Sequence, residues 1–469
     1  MTQSSSMPAI LQAVMKGQPR ALRDEHYPRW HHAPVTGLMN DPNGFVWFSG
    51  RWHLFYQWNP LAPDHKYKCW GHWSSADLLH WRHEPLALMP GQDYDRNGCY
   101  SGSAVDNQGR LTLCYTGNVK FDGGGRTAWQ CLAVENERGE FDKIGPVLAL
   151  PEGYTGHVRD PKVWQHNGRW YMVLGAQDQD KRGKVLLFSS SDLHAWESEG
   201  EIAGNGVNGL DDTGYMWECP DLFELGGRHV LICCPQGITR ERERFLNVYP
   251  AACLIGDFDY ATASFRHGEL NELDAGFEFY APQTAQAPGG RRLLVGWMGV
   301  PDGEEMLQPT LANGWIHQMT CLRELTLQNG KLYQRPIAEL AALREEEQFW
   351  QGIAGEAPSL DALRLELLVD ICGSLDLDFG GALKLSINEQ GVTLQRCSLA
   401  SGEWLSRYWK GTVSSLQILC DSSSVEIFIN QGEGVMSNRY FPQHPSRVCF
   451  SGASEVTLRY WSLRSAMVE

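Results

Sequence analysis

A chain of 469 residues exceeds one ordinary hydrophobic core, so two domains are expected. Its formal net charge of −16, with no long Lys/Arg run to offset it, excludes a nucleic-acid binder. No window is apolar enough to span a membrane, the N-terminus lacks a basic leader, and the 13 cysteines show neither a C-x-x-C pair nor a Cys/His set at zinc spacing. They read as reduced thiols, and the protein as cytoplasmic.

In chain order, residues 7–25 read as a helix, with Ile10, Leu11, Val14 and Met15 at helical spacing, within an N-terminal extension over 1–33. A Gly-Arg pair followed by a strand-like run then recurs at Gly50, Gly109, Gly168, Gly227 and Gly290, in steps of 59, 59, 59 and 63 residues. Each pair closes a hairpin, and five copies at that period predict a five-bladed β-propeller over 34–336. Residues 337–351 read as a helical connector, with Ile337, Leu340 and Leu343 on one face. Short alternating runs at 363–369, 375–379, 382–387, 416–419, 425–429 and 448–450 predict a β-sandwich over 352–469. The fold class is all-β.

Counting back eight to ten residues from each Gly-Arg glycine reaches Asp41, Ser101, Asp160, Glu218 and Tyr280, at the start of each blade's first strand. Those strands line a propeller's channel, so three acids should converge at one end of it. Alone, Asp41 before Pro42 is a turn residue, and Glu218 could equally be the partner of a channel arginine. Together the acids suit the cleavage of an acetal, which needs one carboxyl to protonate the leaving oxygen and a second to attack or to activate water. Asp41 and Glu218 are the pair favoured, with Glu218 kept protonated beside Trp217 and two other acids. Asp160 is expected to stay ionised beside Arg159.

The runs Leu38-Met39-Asn40-Asp41-Pro42-Asn43-Gly44, Arg159-Asp160-Pro161 and Glu218-Cys219-Pro220-Asp221, in that order, resemble glycoside hydrolase family 32. Supporting matches are Phe55-Tyr56-Gln57, Trp70-Gly71-His72, Tyr100-Ser101-Gly102-Ser103 and Asp421-Ser422-Ser423-Ser424-Val425-Glu426. The resemblance implies a propeller followed by a sandwich, and a retaining β-fructofuranosidase without metal or organic cofactor. By match of motif, Asp41 would attack C2 of the fructosyl unit, Glu218 would serve as acid and then base, and Asp160 would hold fructosyl hydroxyls. Asn40, Gln57, Ser101 and Arg159 fall where the family contacts the fructose, and Trp70 and Tyr100 where it packs against it; Leu38, Met39 and Tyr280 are further expected substrate contacts. Leu38 stands where the family often has Trp, and Trp73 where it has a small residue.

The loops at the channel mouth carry His65, Lys66, Lys68, Lys120, Arg126, Lys181, Arg182 and Lys184. In so acidic a protein, basic residues around an acid-lined mouth favour an anionic substrate. The expected substrate is sucrose 6-phosphate, with Lys66, Lys68, Lys120 and Arg126 as its phosphate contacts. A general sucrose or short-fructan hydrolase is the alternative, and a non-catalytic carbohydrate-binding propeller the remaining one. No nucleic-acid or membrane partner is expected.

Overall fold

The computed structural model describes residues 7–442 and 446–466. Five mostly antiparallel sheets follow one another in sequence, beginning with the strands Gly37–Phe48, Cys99–Asn107, Tyr154–His166, Met216–Leu225 and Tyr280–Gln286. Each of these first strands lies against the first strand of the next sheet, and the fifth returns to the first, so the five close a ring. The hairpins that leave them turn as the Gly-Arg pairs require. Ser49-Gly50, Gln108-Gly109, Asn167-Gly168, Gly226-Gly227 and Gly289-Gly290 all hold two successive positive φ angles. That conformation matches the right-handed twist of the flanking strands.

The chain crosses from the fifth sheet back to the first. Trp315–Ile316 pairs in parallel with Gly37 and Leu38, whereas Gln318–Met319 pairs with Arg292–Met298 of the fifth sheet. His317, between them, has a φ of 72°.

Two six-stranded sheets follow, sharing a single apolar core built from Leu367, Leu377, Leu385, Ile418, Ile427 and their neighbours. Every anticipated strand of this region is present. Six others, Gln348–Ile353, Leu360–Asp361, Gly391–Cys397, Trp404–Lys410, Gly434–Arg439 and Glu455–Ser462, complete the sheets.

Two expectations are corrected. The N-terminal helix is Met7–Ala21, with Leu11 and Met15 exposed and Ile10 buried, and residues 22–33 are not helical. The 337–351 connector is helical only as the 3-10 segment Ala338–Leu343. From Gln348 to Ile353 it is a strand that pairs with Glu455–Ser462. The Ile337, Leu340, Leu343 stripe is real and buried; periodicity over so short a run does not distinguish a 3-10 turn followed by a strand from an α-helix.

Candidate active site

All five first strands carry a β-bulge at the same depth. The pairing register slips between Met39 and Pro42, Tyr100 and Gly102, Glu218 and Asp221, and Tyr280 and Gln283, and in the third sheet opposite Val173 and Gly175, at Asp160. Four bulges contain proline, as Pro42, Pro161, Pro220 and Pro282, which has no N–H to give to a ladder. The second uses Gly102, where a Cβ would stand 1.9 Å from the Cys114 carbonyl oxygen. Asp160, Cys219 and Ala281, each preceding a proline, take φ of 67°, 49° and 48°. A bulge re-aims the side chains at its apex, here toward the ring's axis.

The register sorts the axial residues into two tiers. Asp41, Ser101, Asp160, Cys219 and Ala281 are equivalent, and Asn40, Tyr100, Arg159, Glu218 and Tyr280 form the tier one residue earlier. The five residues expected at one position therefore straddle both tiers, because counting from the hairpins cannot see where a bulge adds a residue. The tiers are adjacent, and the three acids do meet. The Cys219 thiol lies 3.8 Å from Asp41 Oδ2 and 3.6 Å from Asp160 Oδ2, and the Cys219 amide donates to Asp160 Oδ2 at 2.9 Å.

Each acid is held by donors. Asp41 accepts from Asn40 Nδ2 at 3.0 Å through Oδ1, and from the Ser101 hydroxyl through Oδ2. Glu218 Oε1 accepts from Arg159 Nε at 2.9 Å and Nη2 at 2.5 Å, while Oε2 accepts from Gln236 Nε2 at 2.8 Å and the Tyr280 hydroxyl at 2.5 Å. The arginine expected to keep Asp160 ionised thus spends its hydrogen bonds on Glu218 and on His157 Nδ1, 2.9 Å away. Asp160 is pushed up to about 7 by burial and by the negative charge of Glu218, against the pull of Arg159. Burial also pushes Asp41 up; the Ser101 hydrogen bond opposes this, and Glu218 adds to it. Three enclosed carboxylates face two cations, Arg159 and Lys68, so the cluster keeps one proton into the neutral range. That proton is what a general acid needs.

Below the tiers the axis narrows. The Asn43, Lys162, Asp221 and Gln283 level is tied by Lys162 Nζ to the Thr284 carbonyl at 2.5 Å, and by Gln283 Nε2 to the Gly102 carbonyl at 2.9 Å. The remaining cavity is about 10 Å³, room for no more than one water. The carboxylates therefore stand above a narrow part of the ring's axis. A larger cavity, about 720 Å³, is elsewhere, at the junction of the sheet ring with the C-terminal sheets, and contains none of the three acids.

Several expected contact residues have other positions. Met39 and Trp70 are wholly buried in the core, Met39 because it points to the opposite side of its strand from Asn40; Trp70 instead donates to the Tyr100 carbonyl at 3.0 Å, bracing it from behind. Gln57 is buried, and its Nε2 bridges the Cys69 and Cys99 carbonyls. Leu38 is buried against the Trp315–Ile316 strand. Of the mouth cations, Lys184 is buried on Glu201 and Arg182 is paired with Asp178. Lys68 donates to Asn40 Oδ1 at 2.7 Å and to His65 Nδ1 at 2.9 Å. Lys66 and Lys120 are exposed, and Arg126 stands 5.9 Å over the Tyr100 ring with Nη1 3.4 Å from His157 Nδ1. Gln236, Cys219 and His157 also stand beside the acids; Cys219 and His157 belong to the acids' own strands, whereas strand register alone brings Gln236 there.

Buried, oriented carboxyl groups converging on the axis of the ring suit a glycoside hydrolase. The glycosyl hydrolases family 32 N-terminal domain matches residues 31–336, and the family's C-terminal domain matches 389–462. The chain belongs to glycosyl hydrolases family 32. It is 69% identical to the Salmonella typhimurium sucrose-6-phosphate hydrolase over 469 residues, covering 100% of both chains. Among solved structures it resembles a Lactobacillus gasseri sucrose-6-phosphate hydrolase, with a TM-score of 0.90, 32% identity and 97% of each chain covered. It also resembles a Bombyx mori beta-fructofuranosidase in complex with sucrose, with a TM-score of 0.89, 31% identity and 99% of each chain covered.

Proposed function

We propose that the protein is a retaining β-fructofuranosidase that hydrolyses sucrose 6-phosphate to glucose 6-phosphate and fructose, and also accepts sucrose. The observation that carries the reaction is the meeting of Asp41, Asp160 and Glu218 on neighbouring tiers, each oriented by fixed donors. The choice of substrate rests on the 69% identity with a relative of that name. In this reading the five sheets are the blades of a five-bladed β-propeller over 34–336, after a 1–33 extension, and 337–351 leads into a β-sandwich over 352–469.

Asp41, steered by Asn40 and Ser101, attacks C2 of the fructosyl unit. As the bound sugar displaces its donors, Glu218 receives the cluster's proton and passes it to the glycosidic oxygen, then takes one from the water that releases fructose. Asp160 accepts hydrogen bonds from fructosyl hydroxyls and offsets positive charge developing on the ring. Tyr100 offers its half-buried face to the sugar. The Asp41 and Glu218 carboxyl groups should come to roughly 5–5.5 Å apart in the substrate complex.

Phosphate recognition falls chiefly to Arg126, with Lys66 and Lys120 at the rim. Arg126 is beside His157 and Tyr100, on the Glu218 side of the site, where the leaving glucose must lie. His157 is lowered to about 4 by burial and by Arg159 and Arg126, so it stays neutral between the two guanidinium groups. Lys68 is committed to Asn40 and His65.

The test compares fructose release from sucrose 6-phosphate and from sucrose. A higher kcat/KM for the phosphorylated sugar, weakening with salt, is expected. Arg126→Gln should lower that kcat/KM by roughly 10- to 150-fold, the worth of one hydrogen bond to a charged group, with little change on sucrose. Equal rates on both sugars would leave a general sucrose hydrolase. With methanol present, methyl β-fructofuranoside should form; the α-anomer would rule out retention.

A further inference from the structure

We propose that His65, Glu305 and His317 form a binding site for a zinc-type divalent cation, and that its occupancy slackens the hold on Asp41. These residues come from three separate segments: the loop after the second strand of the first sheet, the 3-10 turn Glu305–Leu307, and the crossover between the fifth and first sheets. No spacing in the sequence brings them together.

Their ligand atoms lie within 4.8 Å of one another. His65 Nε2 and His317 Nε2 both reach Glu305 Oε1, at 2.8 and 2.7 Å. Lys68 can only donate, so His65 Nδ1 accepts from it and the His65 ring proton is on Nε2. Two imidazoles thus converge on one carboxylate oxygen. Two nitrogens and an oxygen, with a fourth position left to water, are a typical zinc donor set. Ligand distances of about 2.0–2.2 Å require only a modest inward movement of the three side chains.

His317 supplies the second observation. It is fully buried, its backbone is left-handed, and its Nδ1 has no hydrogen-bond partner. A buried polar atom without a partner is costly, and left-handed backbone is strained for a residue with a Cβ, so the surrounding structure has to hold the ring in place. The cation would bind through Nε2, the nitrogen that already faces Glu305, so it is the fixed position of the ring, and not the lone Nδ1, that favours the site.

The cation would replace the two ring protons between the histidines and Glu305. Each proton moves from Nε2 to Nδ1, and both nitrogen lone pairs and a Glu305 oxygen go to the metal, so no proton is gained or lost. His65 Nδ1–H then faces the Lys68 ammonium, two donors opposed, with a dication behind. Lys68 must withdraw, and Lys68 is the group that holds Asn40 Oδ1 at 2.7 Å while Asn40 Nδ2 holds Asp41 Oδ1 at 3.0 Å. An unbroken hydrogen-bonded chain therefore links the site to the nucleophile.

The experiment uses the full chain, freed of metal by a chelator and titrated with Zn²⁺ and with Co²⁺. One equivalent should bind, with the visible bands of a four- or five-coordinate cobalt centre and no thiolate charge-transfer band. Zn²⁺ should lower kcat by about tenfold, with reversal by chelator, and His317→Gln should bind at least about a hundredfold more weakly and lose the inhibition. Absence of saturable binding, a thiolate band that places the metal on a cysteine, or equal inhibition of the variant would each overturn the proposal. The cobalt spectrum of the unaltered protein decides the matter even if the variant does not fold. Binding is read without substrate, so it stands or falls separately from the assigned reaction.

Discussion

Asp41→Asn is expected to lower kcat by roughly four orders of magnitude or more while raising thermal stability. In the proposed mechanism the amide cannot form the fructosyl ester, and Asp160, the other carboxylate of the same tier, faces the Cys219 amide instead. The rise in stability follows from linkage. Asp41 and Asp160 are both raised above ordinary carboxyl values, the second to about 7. Groups raised in the folded state contribute stability that is fully present below their unfolded values, near pH 4, and lost as pH climbs through the folded ones. Removing one negative charge from the cluster relieves that loss. The melting temperature should therefore rise by a few degrees at pH 8 and hardly change at pH 4. A variant inactive and less stable at pH 8 would show that Asp41 was a structural residue. In the wild type the same proton makes activity fall above about pH 7, as the cluster's last proton leaves.

The hairpin spacing revealed the sheets because it depends on local chemistry. A Gly-Arg pair after a residue that tolerates positive φ makes the same turn five times. The repeated Ser75-Ala76-Asp77-Leu78 and Ser190-Ser191-Asp192-Leu193 runs also fold alike, with Ser75 and Ser190 accepting from the leucine amides at 3.0 Å. The three acids could be read because each precedes or adjoins a bulge proline, itself a local signal. What remained hidden depends on register. The tier shift of Glu218 and Tyr280 arises from the bulges, and the inward turn of Met39 from which face of the strand it occupies. Arg159 lies next to Asp160 in sequence yet bonds Glu218, 59 residues on, through the approach of two sheets. His65, Glu305 and His317 meet only because the chain recrosses from the fifth sheet to the first.

Arg323→Leu is expected to cost about 3–5 kcal/mol of stability, the usual penalty for stranding a buried charge. Arg323 is wholly buried between the fifth sheet and the C-terminal sheets. It donates to Asp274 Oδ2 at 3.1 Å, Glu426 Oε1 at 2.7 Å and Ser437 Oγ at 2.5 Å. Glu426 continues through Oε2 to His31 Nε2 at 3.1 Å, and His31 Nδ1 to Asp421 Oδ2 at 2.9 Å. One network of fixed charges thus joins the segment before the first strand, the fifth sheet and the C-terminal motif Asp421 to Glu426. Burial alone would raise Glu426, but Arg323 and His31 hold it down at about 2. Its contribution is therefore present above the unfolded carboxyl value and lost as pH falls through about 2. His31 has the opposite sign. Burial lowers it, yet Asp421 and Glu426 leave it raised, so its contribution is complete below about pH 6.5 and lost as pH rises through its folded value. Without Arg323, Glu426 loses its main countercharge and burial dominates. The variant should gain stability as pH falls from about 7 toward 5, where Glu426 can take up a proton, while the wild type changes little. The Glu426→Gln, Arg323→Leu double variant should recover part of the loss, since no carboxylate is left facing the removed guanidinium on that side. The folded fraction of either should keep a near-normal kcat, because none of these residues touches the carboxylate tiers. A large fall in kcat with unchanged stability would instead make the network part of the catalytic site.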